Sequence, residues 1–383
     1  MGIKSNFNKF LRDTCPDIFE SVHLSNFAYK KIAVDVSLYL HKFKASCGDR
    51  WLTAFINLIS CLRRNEIHCI FIFDGVAPVE KNGERQKRKE SRDKSEMILY
   101  NLKEALRDYH KSGNIHECLI VLHKQKPESP IKRLLSINTS SKSNIIDMNW
   151  VEQKIMHRES QIYVITPNDY ENVKKLLDIL NTPYHVAKNE AEKTCAKLCI
   201  DGIVSSVLTE DTDVLAYGSH SFLSKIDIMN DTVVMINHKL MLDRLNLTDR
   251  QFLDFCIMCG TDYNSNIARV GSKTSYQYIT KYKSIENISK NTHLDVSILN
   301  HVRVRELFTD FTDKLDKIEY CGIPDFHKLG EFIRIHNLVI NTEKVIKDFS
   351  IKELIFRDDI DDDIDDDIDD DDDDDIDDDI DNN

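Results

Sequence analysis

Three short apolar runs that end in carboxylates constrain this chain most: KKIAVD closes on Asp35, CIFIFD on Asp74, and IVSSVLTEDTD on Asp211 and Asp213. Short runs rich in Val and Ile read as strands, and their continuous apolar character means burial on both faces. Between the first two lies WLTAFINLISCLRRN, whose apolar spacing is helical. Strand, helix, strand is the pattern of a parallel sheet with crossover helices. Similar units recur further on. Thr166 and Pro167 open a helix with Asp169 in its first turn, NTPYHVA reads as a strand, EAEKTCAKLCI as a helix and IVSSVLT as another strand. The expected fold is α/β, a mostly parallel twisted sheet flanked by helices. Functional groups of open sheets gather at the carboxyl ends of strands, where Asp35, Asp74, Asp211 and Asp213 all fall.

Three further acids join them: Glu190 and Glu192 in EAE at the head of a helix, and Asp262 in CGTDY. Taken singly, each of the seven reads as readily as a turn, cap or solvated surface residue. Together they cannot share a pocket unaided, because each raises the pKa of its neighbours. Divalent cations resolve that conflict, and carboxylate oxygens with no Cys or His among them favour Mg²⁺ or Mn²⁺ over Zn²⁺. Two such ions roughly 4 Å apart clamp the attacking and leaving oxygens of an in-line phosphoryl displacement.

The formal net charge of −14 misleads about partners. Asp358 to Asp381 contains 19 Asp and no basic residue; subtracting those from the 65 acidic residues leaves 46 against 51 basic ones, a body charge of +5. A cationic body carrying metal-neutralised acids suits a polyanion. The DDDI tail repels itself and holds only sparse Ile, so it cannot fold alone. It reads either as a solubilising extension or as a mimic of DNA that competes for basic surface or recruits basic partners. Ten scattered cysteines, mostly in apolar runs, point to a reducing, intracellular compartment. Cys256 and Cys259 have C-x-x-C spacing, but no second pair completes a zinc site, and a buried apolar role fits them better. No run has the length of a membrane helix.

After Asp74 comes a basic stretch, Lys81 to Lys94, with seven Lys and Arg residues. On a helix Lys81 and Arg88 share one face, and Arg85, Lys89 and Arg92 form a second stripe. Interleaved Glu84, Glu90 and Asp93 make a plain solvated helix the competing reading. From about Glu96 to Ile162, KQKPESP and SINTSSKSN read as loop, with Trp150 in a later helix. Thr248 and Gln251 have capping-box spacing at the start of the helix that delivers Asp262. GSK, with Gly271 and Lys273, reads as a capped helix N-terminus suited to a phosphate.

In order along the chain, MGI, KIAVDVSLYLHKF, CIFIFDGVAP with its basic helix, KNEAEKTCAKL, VLTEDTDVLAYGS and QFLDFCIMCGTDYN resemble the flap endonuclease (XPG-type 5′ nuclease) family, to about position 350. The resemblance implies a PIN-like nuclease core. Its parts would be an N-terminal nuclease region at 1–95, a helical gateway and extended arch insertion at 81–162, and an internal nuclease region at 163–262. A helix–two-turn–helix region with C-terminal helices would follow at 263–350, then the acidic tail at 357–383. By the same resemblance Asp35, Asp74, Glu190 and Glu192 hold one ion and Asp211, Asp213 and Asp262 the other, with Glu192 able to lie between them. Lys81 and Arg88 steer the phosphate. Arg85, Lys89 and Arg92 line the DNA path, and Gly271 and Lys273 grip duplex beside a K⁺ ion.

The chain departs from the family in three places. Arg269 stands where the family often has Gly, and Ser272 replaces a common Pro. His41 aligns with the family's base-stacking Tyr, and Tyr39 lies two residues earlier; either ring is a candidate to stack on a base, with a place in the core the alternative for Tyr39. The sliding-clamp peptide is missing from the C-terminus. The implied activity is Mg²⁺-dependent cleavage of branched DNA by a monomer in replication or repair, at a nuclear or cytoplasmic replication site. A 5′→3′ exonuclease, a repair-incision enzyme and a non-catalytic branched-DNA binder are the alternatives.

Overall fold

The computed structural model describes residues 2–127, 146–311 and 317–349. The acidic tail, SINTSSKSN and the last residues of KQKPESP lie outside these. Seven strands form one sheet: β1 (Glu20–His23), β2 (Lys31–Asp35), β3 (His68–Phe73), β4 (Tyr184–Val186), β5 (Ser206–Leu208), β6 (Ser221–Asp227) and β7 (Thr232–Asn237). Their order is β1-β7-β6-β5-β2-β3-β4. The pairs from β6 through β4 are parallel; β7 runs antiparallel to both β6 and β1. The sheet is therefore mixed but mostly parallel, as the apolar runs imply.

Helices surround it. In the first half run α1 (Phe7–Thr14), α2 (Val36–Cys47), α3 (Trp51–Arg64), α4 (Asn82–Ser112), α5 (Glu117–His123) and α6 (Met148–Ser160). Then come α7 (Pro167–Ile179), α8 (Ala191–Ile200), α9 (Asp213–Ala216), α10 (His238–Leu245) and α11 (Asp249–Cys259). The last are α12 (Ser272–Tyr282), α13 (Ile285–Asn291), α14 (His301–Thr309), α15 (Phe326–Ile335) and α16 (Thr342–Phe349). Among the described residues no helix is long and apolar enough to cross a membrane.

Alternation along the central strands divides the core in two. Ala33, Ile70, Ile72 and Val207 face one layer of helices, while Ile32, Val34, Phe71, Phe73 and Leu208 face the other. Both faces are covered, which is why these runs show no polar alternation. The local start signals hold: Thr166 and Asp169 form a capping box at α7, and Thr248 and Gln251 another at α11. Cys256 and Cys259 are fully buried in the core, and all ten cysteines are free thiols.

The 96–162 stretch contains more order than its loop-like sequence suggests. α4 continues for 31 residues, and its second half packs with α5 and α6 around Leu99, Leu102, Leu119, Leu122, Val151 and Ile155. This small cap has a core of its own, and Trp150 sits in α6 against it.

One glycine fixes how the cap joins the sheet. Gly75 donates its N–H to Asn189 O at 2.6 Å and Val76 donates to Lys188 O at 3.1 Å. A Cβ on Gly75 would lie 2.0 Å from Ala187 O. Only glycine permits this backbone crossing.

Candidate functional site

Strands β5, β2 and β3 are neighbours, and their parallel register places Val34 beside Leu208 and Asp35 beside Ile72. With strands about 4.8 Å apart, the residues that end them emerge side by side. The chain leaves β2 toward β3 and β4 and returns to β5 on the other side, so the crevice lies at a switch point. Asp35 ends β2 and caps α2, accepting from Leu38 N at 3.1 Å and from Thr209 Oγ1 at 3.1 Å. Asp74 follows β3 and accepts from Ala191 N at 2.8 Å. Glu190 is the N-cap of α8, with Glu192 in its first turn. Asp213 begins α9 and donates its N–H to Asp211 Oδ1 at 3.0 Å. These helix N-termini offset part of the negative charge.

The result is a cleft of about 240 Å³ lined by Asp35, Asp74, Glu190, Glu192, Asp211 and Asp262, together with Lys81, Arg85, Arg88 and His41. Asp213 is 2% exposed and not part of its lining, and its Oδ1 has no hydrogen-bond partner among the described residues. Lys81 Nζ contacts Glu190, Glu192 at 3.4 Å and Asp262 at 3.3 Å. Arg88 forks onto Asp262 with bonds of 2.9 and 2.8 Å. Among the described residues no three His, Cys, Asp or Glu side chains converge tightly enough to form a finished ligand set; here Lys81 spaces three of the acids apart.

Crowded burial shows in the acidities. Burial, with Asp74 and Asp211 adding repulsion, pushes the Asp35 carboxyl up to about 7. Burial also raises Glu192 and Asp213 well above the carboxylate range, and Asp211 upward. Burial alone would lower the Lys81 ammonium, but Glu192, Glu190 and Asp262 outweigh it and hold the proton firmly. Two cations do not neutralise this surplus of acid.

The nucleic-acid candidates divide. His41 is at the rim of the cleft, bonded to Tyr163 Oη at 3.2 Å, where its ring is accessible. Arg85 reaches the cleft, while Lys89 and Arg92 stand exposed along α4 outside it. Tyr39 must be corrected: its ring is 0% exposed, packed on Phe43, and offers no face to a base. On α2 it points toward the core, two residues and a half-turn away from His41. Gly271 caps α12, and exposed Lys273 lines a separate groove of about 450 Å³ with Lys9, Phe10 and Tyr276. Arg269 adopts φ +64°, the left-handed conformation that a glycine would accept without strain.

Several partners escape a reading of the sequence. Tyr263 bonds Glu190, and Tyr217 bonds Tyr263 at 2.5 Å, a buried phenol pair behind the acids. Tyr263 is flagged by adjacency to Asp262; nothing in the sequence brings Tyr217 there. Gly2, at φ +92°, packs so closely that a Cβ would lie 2.3 Å from Asp211 Oδ1.

Comparison with known proteins gives this geometry its context. The XPG N-terminal domain matches residues 1–95 and the XPG I-region residues 181–262. Probable RAD2-like endonuclease 369L of Invertebrate iridescent virus 6 is 33% identical, over 91% of this chain and 92% of its own. The chain belongs to the XPG/RAD2-like nuclease family. A second RAD2-like relative, 076L of Invertebrate iridescent virus 3, is 34% identical over 88% of this chain and 94% of its own. Among solved structures, the catalytic core of Rad2 in complex with DNA substrate superposes with TM-score 0.62 at 19% identity, covering 90% of this chain and 98% of that one. Flap endonuclease-1 from Methanococcus jannaschii gives 0.55 at 18% identity, covering 87% and 95%. At these identities the structural likeness is one of XPG-family fold, and the sheet and flanking helices share it.

Proposed function

We propose that this chain is a Mg²⁺-dependent, structure-specific 5′ nuclease that hydrolyses phosphodiester bonds in branched DNA, with the 5′ flap as its substrate. The observation that carries the reading is the cleft itself, where seven acids from five segments meet two cations that approach from α4 and the turn before it. The donor set fits hard divalent ions: every candidate donor is a carboxylate oxygen, six of the seven acids are buried, and one Asp213 oxygen has no partner. Asp35, Asp74, Glu190 and Glu192 would hold one ion and Asp211, Asp213 and Asp262 the other; Mn²⁺ suits the same oxygens. When bound, the ions supply Lewis-acid activation of water and stabilisation of the leaving oxygen.

The chain's own residues do the rest. Lys81 and Arg88 exchange their carboxylate partners for the scissile phosphodiester, drawing it in and offsetting its developing charge. His41 gives a ring on which a base stacks, and Arg85, Lys89 and Arg92 guide the backbone along α4. Gly271 and Lys273 hold the duplex farther off, with K⁺ as a candidate ligand of that turn. Tyr263 and Tyr217 orient Glu190. Ten free thiols suit a reducing, intracellular site of DNA replication or repair.

Cleavage of an end-labelled 5′-flap duplex with Mg²⁺ and with EDTA tests the reading. Metal-dependent release of the flap as one discrete oligonucleotide is expected. Single-nucleotide products would replace the endonuclease by an exonuclease, and tight binding without cleavage would leave a branched-DNA binder.

A further inference from the structure

Glu80 lies one residue before Lys81, and its pairing reaches far along the chain. One of its oxygens accepts from Arg303 Nε on α14 at 2.7 Å. The other is buried and has no hydrogen-bond partner among the described residues. Two residues on, Arg305 is 4% exposed and forks onto Asp254 of α11 with two bonds of 2.6 Å, and onto Glu286 of α13 at 3.1 Å. The inward arginine thus welds α14 to α11 and α13, the helices before and after α12 in the chain. The outward arginine extends from that welded body to the foot of α4. A second tie reaches the same foot: Lys4, whose N–H donates to Gly260 O at the end of α11 at 2.9 Å, holds Glu84 at 2.8 Å, and Glu84 holds Arg88 at 3.4 Å. Of the two, Arg303 is the tie that meets the residue next to Lys81.

We propose that Arg303 is a positioning residue: its pair with Glu80 sets the place of Lys81 relative to the helices that seat the duplex. The inference rests on the nuclease reading and deepens it. Arg303 touches no reacting group. Its pair is half exposed on the arginine side, so it adds little to folding. A small displacement of a charged group at a reacting centre, in contrast, changes rates strongly.

The test uses the full chain and a 5′-flap duplex, with single-turnover cleavage and binding measured separately. Arg303→Ala is expected to slow cleavage about tenfold, with affinity within about twofold and the melting temperature unchanged. The exchange Glu80→Arg with Arg303→Glu, made with Glu306→Gln because Arg303 also pairs with Glu306 at 3.0 Å, should restore most of the rate by rebuilding the pair with its charges reversed. Loss of affinity at an unchanged rate would make Arg303 an ordinary phosphate contact and overturn the proposal. An unchanged rate and affinity, or an exchange that restores nothing, would also overturn it. Hydrogen exchange gives a readout independent of cleavage. Duplex binding should protect amides 79–84 in the wild type and not in Arg303→Ala; equal protection in both counts against the link. Absence of cleavage by the wild type would instead sink the nuclease reading, while this protection difference still reports on the link.

Discussion

At the junction of α11, α13 and α14, one guanidinium answers two carboxylates; at the cleft, Lys81 and Arg88 pair with three of the seven acids. Both sets are largely withdrawn from water, yet they obey different constraints. Arg305 satisfies Asp254 and Glu286 by geometry alone, and Ile285 N adds a further bond to Asp254 at 3.2 Å. Nothing there calls for an outside ligand. The cleft holds a charge surplus that burial makes unfavourable; it raises the affinity of Asp35 for a proton and draws in Lys81. A balanced cluster holds elements together, whereas an unbalanced one is poised for cations.

Removing one acid from the surplus set should have the largest effect. Asp211→Ala is expected to lower Mg²⁺-dependent cleavage on the order of a thousandfold, since a bound metal supplies several kcal/mol at the transition state. Its metal-free melting temperature should not fall, because a repulsive partner has gone. Retained cleavage would end the assignment of Asp211 as a ligand. In the balanced set the reverse holds: Arg305→Ala strands Asp254 and should destabilise the fold by about 3–5 kcal/mol, read by urea unfolding. A loss well under 1 kcal/mol would show that this junction is not the weld described.

Changing pH should separate the clusters by sign. Asp35 is raised from 3.8 to about 7, so the folded state holds its proton after the unfolded chain has released it. Its contribution to stability therefore declines as pH rises across that window, and Mg²⁺ should flatten the decline. Glu286 is lowered from 4.5 to about 2 by its bonds to Arg305. Its contribution is complete above 4.5 and disappears as pH falls toward 2. Melting curves should thus depart from wild type in opposite directions as pH rises, Asp35→Asn lying above it toward pH 7 and Glu286→Gln below it above about 4.5; departures of the same sign would refute the contrast. The smallest effect is expected at Tyr39, whose buried hydroxyl has no hydrogen-bond partner among the described residues. Tyr39→Phe should leave flap affinity unchanged and stability within about 1 kcal/mol, whereas His41→Ala should weaken binding.

Where chemistry followed from local pattern, the residues themselves announced it. Asp35, Asp74 and Asp211 are readable because each follows an apolar run that can only be an inner strand, and inner strands of one sheet end side by side. Thr166 with Asp169 and Thr248 with Gln251 are readable because a cap is a contact across three residues. The pairing of β1 with β7, the reach of Arg303 to Glu80 and the Tyr217–Tyr263 pair are contacts between distant segments, and no periodicity encodes them. Tyr39 shows a different limit. Proximity to His41 along the chain suggested a shared role, but on a helix two residues' separation turns a side chain to the other side. The cap core was hidden because its residues are divided among three helices: Leu99 and Leu102 lie in the largely polar α4, while Leu119 and Leu122 are on the seven-residue α5.

The crossing at Gly75 has a consequence for how such a molecule can change over generations. The backbone leaving β3 is bonded to the backbone entering α8, so the excursion from Val76 to Lys188 begins and finishes at one point. Closing a longer loop adds only about 0.6 kcal/mol per doubling of its length. The outer part of that excursion, the second half of α4 with α5 and α6, is thus a replaceable cassette: it can grow, shrink or be swapped while the acidic floor and the first turns of α4 stay in register. A methyl group at position 75 would wedge that socket open.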